Sequence, residues 1–369
     1  MTDALRVGVL GAGWITRAHV HAIHTIGHMR PLARPVHVVA LAARNRDRGE
    51  AVARDLGIER FTTDWEAVVA DPEVDIVANL LGASAHVEGT EAALALGKPV
   101  LCEKPLGADR FEADRLRSAA IRAGVRAVCG FNYRYMPAMR LAREIVRSGR
   151  LGDILHFRAV YLQDHAAGAS PLRAHNGSRA VTDYAHIVDF LRYLGCTAEA
   201  VQATTAKLTT FGPDVEDAYV AAVDLRGGGI ASLEVSRVAW GWKGRQVVEV
   251  NGTTGSLWWD MEDLNRLHVF YSDDEADRTG GFRDVVVTQP DHPFLDLWWP
   301  PGHTLGWEHS FVHEWRDFLS AIIEGRPISP EQATFEDGYQ AAVLCDAILT
   351  SSREGRRVRI DELTVPPSP

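Results

Sequence analysis

The sequence predicts an α/β Rossmann domain followed by an α+β domain with an open, largely antiparallel sheet. Three observations carry this. The opening stretch, Arg6 to His19, passes from apolar strand residues through a glycine turn into a helix-compatible segment. Strand and helix patterns then alternate over the first 130 residues, the grammar of one doubly wound parallel sheet. Beyond them, short strands follow one another directly. A chain of 369 residues exceeds one ordinary core, so two domains are expected. The first is placed at residues 1–130 and the second at 131–369, with the late helices free to pack back on the first.

The elements are read as follows. Val7, Val9 and Leu10 form a strand that enters a turn at Gly11 and Gly13, and a helix starts near Ile15, continuing through Ala18 to Ile26. Glycines allow a tight turn and close backbone approach, and a helix N-terminus offers free N–H groups to a pyrophosphate. Thr16 stands at the third glycine position of G-x-G-x-x-G, so the motif is incomplete. Val36 to Ala42 is the second strand. A carboxylate at the end of this strand usually accepts hydrogen bonds from the adenosine ribose. Here the chain reads Ala43-Arg44-Asn45-Arg46. A guanidinium suits a 2′-phosphate that a carboxylate would repel, so the reading leans toward NADP over NAD, unless Arg44 stacks on the adenine or simply faces water.

Glu50 to Leu56 reads as a helix, Phe61 to Asp64 as a short strand and Trp65 to Ala70 as a helix. Asp75 to Leu81 is a continuous apolar strand, as a sheet buried on both faces requires. After the helix His86 to Leu96, the strand Pro99 to Cys102 delivers Glu103-Lys104-Pro105 at its carboxyl end, where ligands of open α/β sheets bind. Arg110 to Ala123 (helix) and Val125 to Cys129 (strand) lead to Gly130-Phe131-Asn132-Tyr133-Arg134. The second domain is read with strands at Leu155 to Leu162, Ala200 to Leu208, Ala218 to Leu225, Ile230 to Val238, Gln246 to Asn251, Gly255 to Asp260 and Leu267 to Tyr271. One helix, Thr182 to Leu194, interrupts them. Trp307 to Glu324 and Phe335 to Ser352 are late helices, the second capped by Thr334 with Glu336 and Asp337 in its first turn. The tail, Pro366 to Pro369, reads as unstructured.

A net charge of -10 argues against nucleic acid as a partner. No apolar run reaches membrane-spanning length, and Met1 to Arg6 is too polar and too short for a signal peptide. Cys102, Cys129, Cys196 and Cys345 are widely spaced, without a zinc or redox pattern. A cytoplasmic, reduced, metal-free protein is expected.

Two sites carry candidate chemistry. Lys104, beside a nicotinamide, can stabilise charge on a carbinol or carbonyl oxygen. Its plain alternative is a lysine in a surface turn. Asp183, His186 and Asp189 recur at three-residue steps, near one face of the predicted helix. A histidine with an acidic neighbour can take the proton of a hydroxyl while hydride leaves the same carbon. Its alternative is a satisfied helix histidine. Trp258, Trp259, Trp298, Trp299 and Trp307 crowd the second domain, and Trp298-Trp299-Pro300-Pro301-Gly302-His303 reads as a rigid aromatic loop. Aromatic faces suit sugars, and equally suit core or oligomer-interface packing.

The opening glycine turn, the segment Gly97-Lys98-Pro99-Val100-Leu101-Cys102-Glu103-Lys104-Pro105-Leu106, and Gly130-Phe131-Asn132-Tyr133-Arg134 with Pro137-Ala138 resemble the Gfo/Idh/MocA family, that of glucose–fructose oxidoreductase and inositol dehydrogenase. His186 with Asp189 and the Phe335-Glu336-Asp337-Gly338 helix start extend the likeness over nearly the whole chain. Asn79-Leu80 before His86 and the Trp-Trp-Pro-Pro-Gly-His loop look most like its sugar and glycoside dehydrogenases, of the levoglucosan dehydrogenase type. The resemblance implies hydride transfer between a nicotinamide (NAD or NADP) and a secondary hydroxyl of a sugar, glycoside or cyclitol. It also implies a homo-oligomer, dimer or tetramer, formed on the open sheet. By motif position it assigns catalysis to Lys104 and His186, and Asp183 is read as the acid that orients or tunes His186. The cofactor is implied to lie against Gly11, Gly13, Trp14, Ile15, Arg44, Leu81, His86, Glu103, Lys104 and Asn132, and the substrate against Lys104, Arg134, Thr182, Asp183, His186 and His303.

Departures are Thr16, Leu81-Gly82 in place of a frequent Thr-Pro, and Thr182 where the family commonly has an aspartate four residues before the histidine. Either the helix start has shifted by one residue, or the acid is absent and His186 works with Asp189 or Tyr184. Two further readings stay open: a tightly held cofactor used for transient oxidation in glycoside cleavage or sugar–sugar exchange, as in some relatives of this fold, and a non-catalytic dinucleotide or sugar sensor, which Thr182 alone supports.

Overall fold

A computed structural model describes residues 4–167, 179–210, 214–274 and 279–364. The tail from Pro366 lies outside them. The chain divides into two compact units. Of the described residues, the first comprises those up to Tyr135 together with Gly306–Gln340, and the second comprises Met136–Leu305 and those from Ala341 on.

The first unit contains β1 (Leu5–Leu10), α1 (Trp14–Met29), β2 (Val36–Ala42), α2 (Arg46–Asp55), β3 (Arg60–Thr62), α3 (Trp65–Ala70), β4 (Ile76–Asn79), α4 (His86–Ala95), β5 (Val100–Glu103), α5 (Arg110–Ala123) and β6 (Ala127–Gly130). All six strands run parallel, in the order β3-β2-β1-β4-β5-β6. The order reverses direction between β1 and β4, and that switch point opens a crevice at the carboxyl ends of the strands. Val7, Val9, Leu10, Ile76, Val77, Val100, Leu101 and Val128 are buried, which accounts for the uninterrupted apolar runs of the sequence.

The second unit contains α6 (Pro137–Arg147), β7 (Ile154–Leu162), α7 (Ala180–Asp183), α8 (His186–Tyr193), β8 (Ala198–Ala206), β9 (Ala218–Leu225), β10 (Ile230–Ser236), β11 (Arg245–Gly252), β12 (Gly255–Asp260), β13 (Arg266–Tyr271) and β14 (Arg283–Val286). α9 (His309–Ile323) belongs to the first unit, where it packs on α1. α10 (Phe335–Glu354) is divided at Gln340, and β15 (Val358–Arg359) completes the second sheet. That sheet runs β14-β13-β12-β11-β7-β10-β9-β8-β15. Its pairs are antiparallel apart from β7 with β10. One face is buried through Phe157, Val223, Leu233, Val248, Val250 and Trp259, with the Phe190 ring edge-on to Trp259 at 6.2 Å. The alternation of buried and open residues along β9 and β10 is the period of two that marks a half-covered sheet.

Three readings need correction. α6, β14 and β15 were not anticipated. For α6 the signal is present, with Pro137 at the first helical position and an amphipathic stripe behind it; β14 and β15 are edge strands too short to read. The helix expected over Thr182 to Leu194 is two helices. Tyr184 leaves helical geometry at φ -96, ψ 25. Its hydroxyl donates to Gln163 Oε1 at 2.9 Å, and its ring meets Tyr161 edge-on at 4.5 Å. The even spacing of Asp183 and His186 along one helix face therefore does not apply.

Candidate active site

In the first unit the site is built at strand ends. Gly11 follows β1 with φ +111, and a Cβ there would lie 2.7 Å from the Leu80 carbonyl oxygen. Only glycine fits. Thr16, at the third glycine position, is buried, and its hydroxyl donates to the Gly11 carbonyl at 2.9 Å. The side chain thereby closes the turn from within. Gly13 caps α1 without a side-chain acceptor, and no acidic residue occupies the first turn. The leading N–H groups of a sixteen-residue helix are thus left to an anion. These features fit a dinucleotide pyrophosphate: a turn that a Cβ would fill, and an uncapped helix start.

Trp14 opens α1 and is 66% exposed, its ring 5.9 Å from that of Trp307 at 28°. The Trp307 indole N–H donates to the Tyr133 hydroxyl at 3.3 Å. Ile15 lies in the same first turn. At the end of β2, Arg44 is exposed, and among the described residues no hydrogen bond or ion pair engages it. Asn45 caps α2 by accepting from the Arg48 N–H at 2.9 Å. Arg46 is occupied with Glu50.

At the end of β4, Asn79 is fully buried. Its amide donates to the His86 carbonyl at 3.0 Å and to Thr90 Oγ1 at 2.9 Å, and its oxygen accepts from the Leu81 N–H. His86 donates from Nε2 to the Leu81 carbonyl at 2.9 Å and from Nδ1 to the Pro105 carbonyl at 3.0 Å. Two carbonyls demand a proton on each ring nitrogen. Burial works against that charge, but Cys102 and the Leu81 carbonyl outweigh it and push the ring's pKa up to about 9. The imidazolium ties the β4 loop to the segment carrying Lys104.

β5 ends on Glu103, one residue later than expected, and the Lys104–Pro105 peptide is cis. The buried Glu103 carboxylate accepts the Lys104 N–H at 2.9 Å and the His19 ring N–H at 2.9 Å. Beyond β6, Asn132 donates to Ser310 Oγ at 2.7 Å, and Arg134 is buried in an ion pair with Asp337 at 3.3 Å. The His313 ring donates to the Tyr135 carbonyl at 2.9 Å, and burial pushes its pKa down to about 3, so it stays neutral. Thr334 and Asp337 exchange hydrogen bonds at the start of α10, which fixes the carboxylate that Arg134 uses.

In the second unit, Glu216 organises the residues around α7. Its carboxylate accepts the Val181 N–H at 3.1 Å and pairs with Arg179. Thr182 is buried, Asp183 ends α7, and the buried His186 opens α8 after a two-residue turn, with Asp189 one turn on. His303 is exposed on its loop, and Nδ1 donates to the Pro300 carbonyl at 2.8 Å. Neighbouring Asp217 sits among Arg237, Lys207 and the N–H groups of Leu208 and Thr209. Burial would raise its pKa, but these partners hold it at about 2.

Residues 5–131 match the model of the oxidoreductase family with an NAD-binding Rossmann fold, and residues 139–258 match the C-terminal domain of the same GFO/IDH/MocA group. The chain belongs to the Gfo/Idh/MocA family. It is accordingly a nicotinamide-dependent oxidoreductase. Levoglucosan dehydrogenase of Pseudarthrobacter phenanthrenivorans is 32% identical over 98% of this chain and 99% of its own. A crystal structure of an oxidoreductase domain protein from Kribbella flavida superposes with a TM-score of 0.91 at 35% identity, covering 98% of this chain and 100% of that one. A levoglucosan dehydrogenase in complex with NADH and levoglucosan gives 0.92 at 33% identity, covering 97% and 100%.

Within this Gfo/Idh/MocA chain, Gly11, Gly13, Trp14, Ile15, Arg44, Leu81, His86, Glu103, Lys104, Asn132 and Arg134 all fall at or just beyond the carboxyl ends of the first unit's strands. Thr182, Asp183, His186 and His303 fall in the second unit. Among the described residues no group of three or more His, Cys, Asp or Glu could hold a metal ion, and no helix is long and apolar enough to cross a membrane. Sequence reasoning missed Asn79's bonding role, although its partners lie within eleven residues, and it missed His19, Trp315 and Glu216, whose partners are tens to hundreds of residues away. Gly11→Ala tests the cradle. The added methyl meets a backbone oxygen at 2.7 Å in a conformation L-residues avoid. The expected result is about 2–3 kcal/mol lower stability by denaturant melts, with dinucleotide affinity by calorimetry down at least about tenfold.

Proposed function

We propose that the chain interconverts a secondary hydroxyl and a ketone on a sugar, glycoside or cyclitol, using NADP(H) as well as NAD(H). The observation that carries this reading is Lys104. It leaves the end of β5 beside the glycine turn's strand row, with its main chain held by Glu103. The dinucleotide, when bound, supplies the hydride acceptor. The Lys104 ammonium holds the hydroxyl oxygen and stabilises the negative charge that grows on it. The His186 imidazole takes the hydroxyl proton, and Asp183 tunes or orients it. Asn132 and Arg134 brace the end of β6 through Ser310 and Asp337. Thr182 and His303 bond further hydroxyls of the substrate. The outer face of the second sheet, where Val220 and Ile230 are exposed, is the surface for a homo-oligomer.

Levoglucosan, bound in the solved relative, heads the panel that tests the reading, followed by pyranosides, free sugars and inositols. Growth of the reduced-nicotinamide absorbance with at least one of them is expected. Cofactor that co-purifies, with no net reduction across the panel, would instead indicate transient oxidation.

The NADP(H) part of the proposal rests on Arg44. No carboxylate stands at the end of β2 to repel a 2′-phosphate, and Arg44 is exposed, with no hydrogen bond or ion pair to it among the described residues. Arg44→Ala should lower kcat/KM for NADP by about tenfold and leave NAD within about twofold, since a charge-assisted bond of this type contributes about 1.5–3 kcal/mol. Equal loss with both cofactors would place Arg44 on the adenine instead.

A further inference from the structure

Three buried side chains form an unbroken chain of hydrogen bonds behind Lys104. The Trp315 indole N–H of α9 donates to His19 Nδ1 at 2.8 Å. An indole can only donate, so Nδ1 is an acceptor and the ring's hydrogen sits on Nε2. That N–H faces Glu103 Oε1 at 2.9 Å, while Glu103 Oε2 accepts the Lys104 main-chain N–H at 2.9 Å. His19 and Trp315 are fully buried, and Glu103 is 6% exposed. Ring contacts fix the imidazole plane as well. Phe311 meets it edge-on at 4.9 Å and Trp315 at 6.0 Å.

We infer that Trp315 and His19 are positioning residues for Lys104, acting through Glu103. The inference rests on the catalytic role proposed for Lys104. His19 lies on α1, the helix that begins at the glycine turn, five residues beyond Trp14. The bond chain thus ties the dinucleotide seat to the point where the lysine side chain starts. Glu103 fixes the N–H of Lys104 from one side. His86 holds the Pro105 carbonyl from the other. A donor lost at Trp315 frees the imidazole to change tautomer. Glu103 alone is then left to select the Nε2–H tautomer, the ring loses one of the two bonds that hold it, and the carboxylate gains freedom to reorient. A lysine displaced by a fraction of an ångström loses rate without losing substrate or cofactor contacts.

The test compares kcat, KM and dinucleotide affinity in Trp315→Phe, His19→Gln, His19→Leu and Lys104→Ala. Trp315→Phe keeps the ring packing and removes only the N–H. It should lower kcat roughly tenfold, with cofactor affinity and KM within about twofold. His19→Leu should lose roughly a hundredfold. His19→Gln should recover part of it, because its amide offers one acceptor and one donor. In a Lys104→Ala background, Trp315→Phe should have no further effect. A Trp315→Phe enzyme with wild-type kcat beside an inactive Lys104→Ala overturns the inference alone. An equal further loss in the Lys104→Ala background also overturns it, by showing that Trp315 does not act through the lysine. Turnover surviving Lys104→Ala sinks the parent reading first. Should Trp315→Phe fail to fold, imidazole 15N spectra of the wild-type protein decide. An unprotonated Nδ1 on His19 is required, and a protonated Nδ1 refutes the chain.

Discussion

Lys104→Ala should lower kcat by about a thousandfold while dinucleotide affinity stays within about threefold of wild type. An electrostatic group aimed at charge that develops only in the transition state acts on kcat, and loss of one such donor typically removes about 10²–10³ in rate. Two features make a split between rate and binding the expected outcome. The seat for the pyrophosphate is made by Gly11, Gly13 and the uncapped start of α1, none of which involves the lysine side chain. The segment's shape is held by main-chain contacts, through the Lys104 N–H and the Pro105 carbonyl, and these survive truncation at Cβ. Lys104→Arg should recover little, because the guanidinium's planar fork places its donors differently from a compact ammonium. The measurements are steady-state kinetics with the substrate identified by the panel, and titration calorimetry with the reduced cofactor. Matched losses of affinity and rate would mean that Lys104 serves binding instead.

What could be read from the sequence follows from how local each feature is. The order of strands and helices in the first unit was legible because a doubly wound sheet writes itself as apolar runs separated by amphipathic helices, and each strand end falls where its motif does. Ala218–Leu225 and Gly255–Asp260 were read to the residue, since alternation with a period of two is bounded by clear turns. The break at Tyr184 was not legible. It depends on Gln163 and Tyr161, more than twenty residues back along the chain, and nothing in the helical pattern marks it. The ion pair of Arg134 with Asp337, some two hundred residues away, was likewise not legible. His19 stood inside the opening stretch, but its importance comes from Glu103 and Trp315, partners 84 and 296 residues distant. Type and position of chemistry-bearing residues are local properties. Who bonds to whom in a buried network is set by tertiary packing.

The other large effect is expected at His186. His186→Ala should lower the rate of hydroxyl oxidation by about 10²–10⁴, the usual contribution of a positioned general base. The loss should also depend on pH in a defined direction. Without an imidazole to take the proton, the step relies on hydroxide from solvent, so the residual rate should climb about tenfold per pH unit, a slope that the wild-type enzyme lacks above the pKa of its own base. The companion variant Asp183→Asn should do less. Asp183 closes α7 and His186 opens α8, with Tyr184 and Ala185 between them outside either helix. A residue that merely orients or tunes another shifts the pH profile and lowers kcat modestly, without imposing hydroxide dependence. Profiles of log kcat against pH for the three enzymes, measured in the oxidation direction, separate these roles. A His186→Ala profile parallel to that of wild type would remove His186 from the proton transfer. The same slope in Asp183→Asn would transfer the role to the carboxylate.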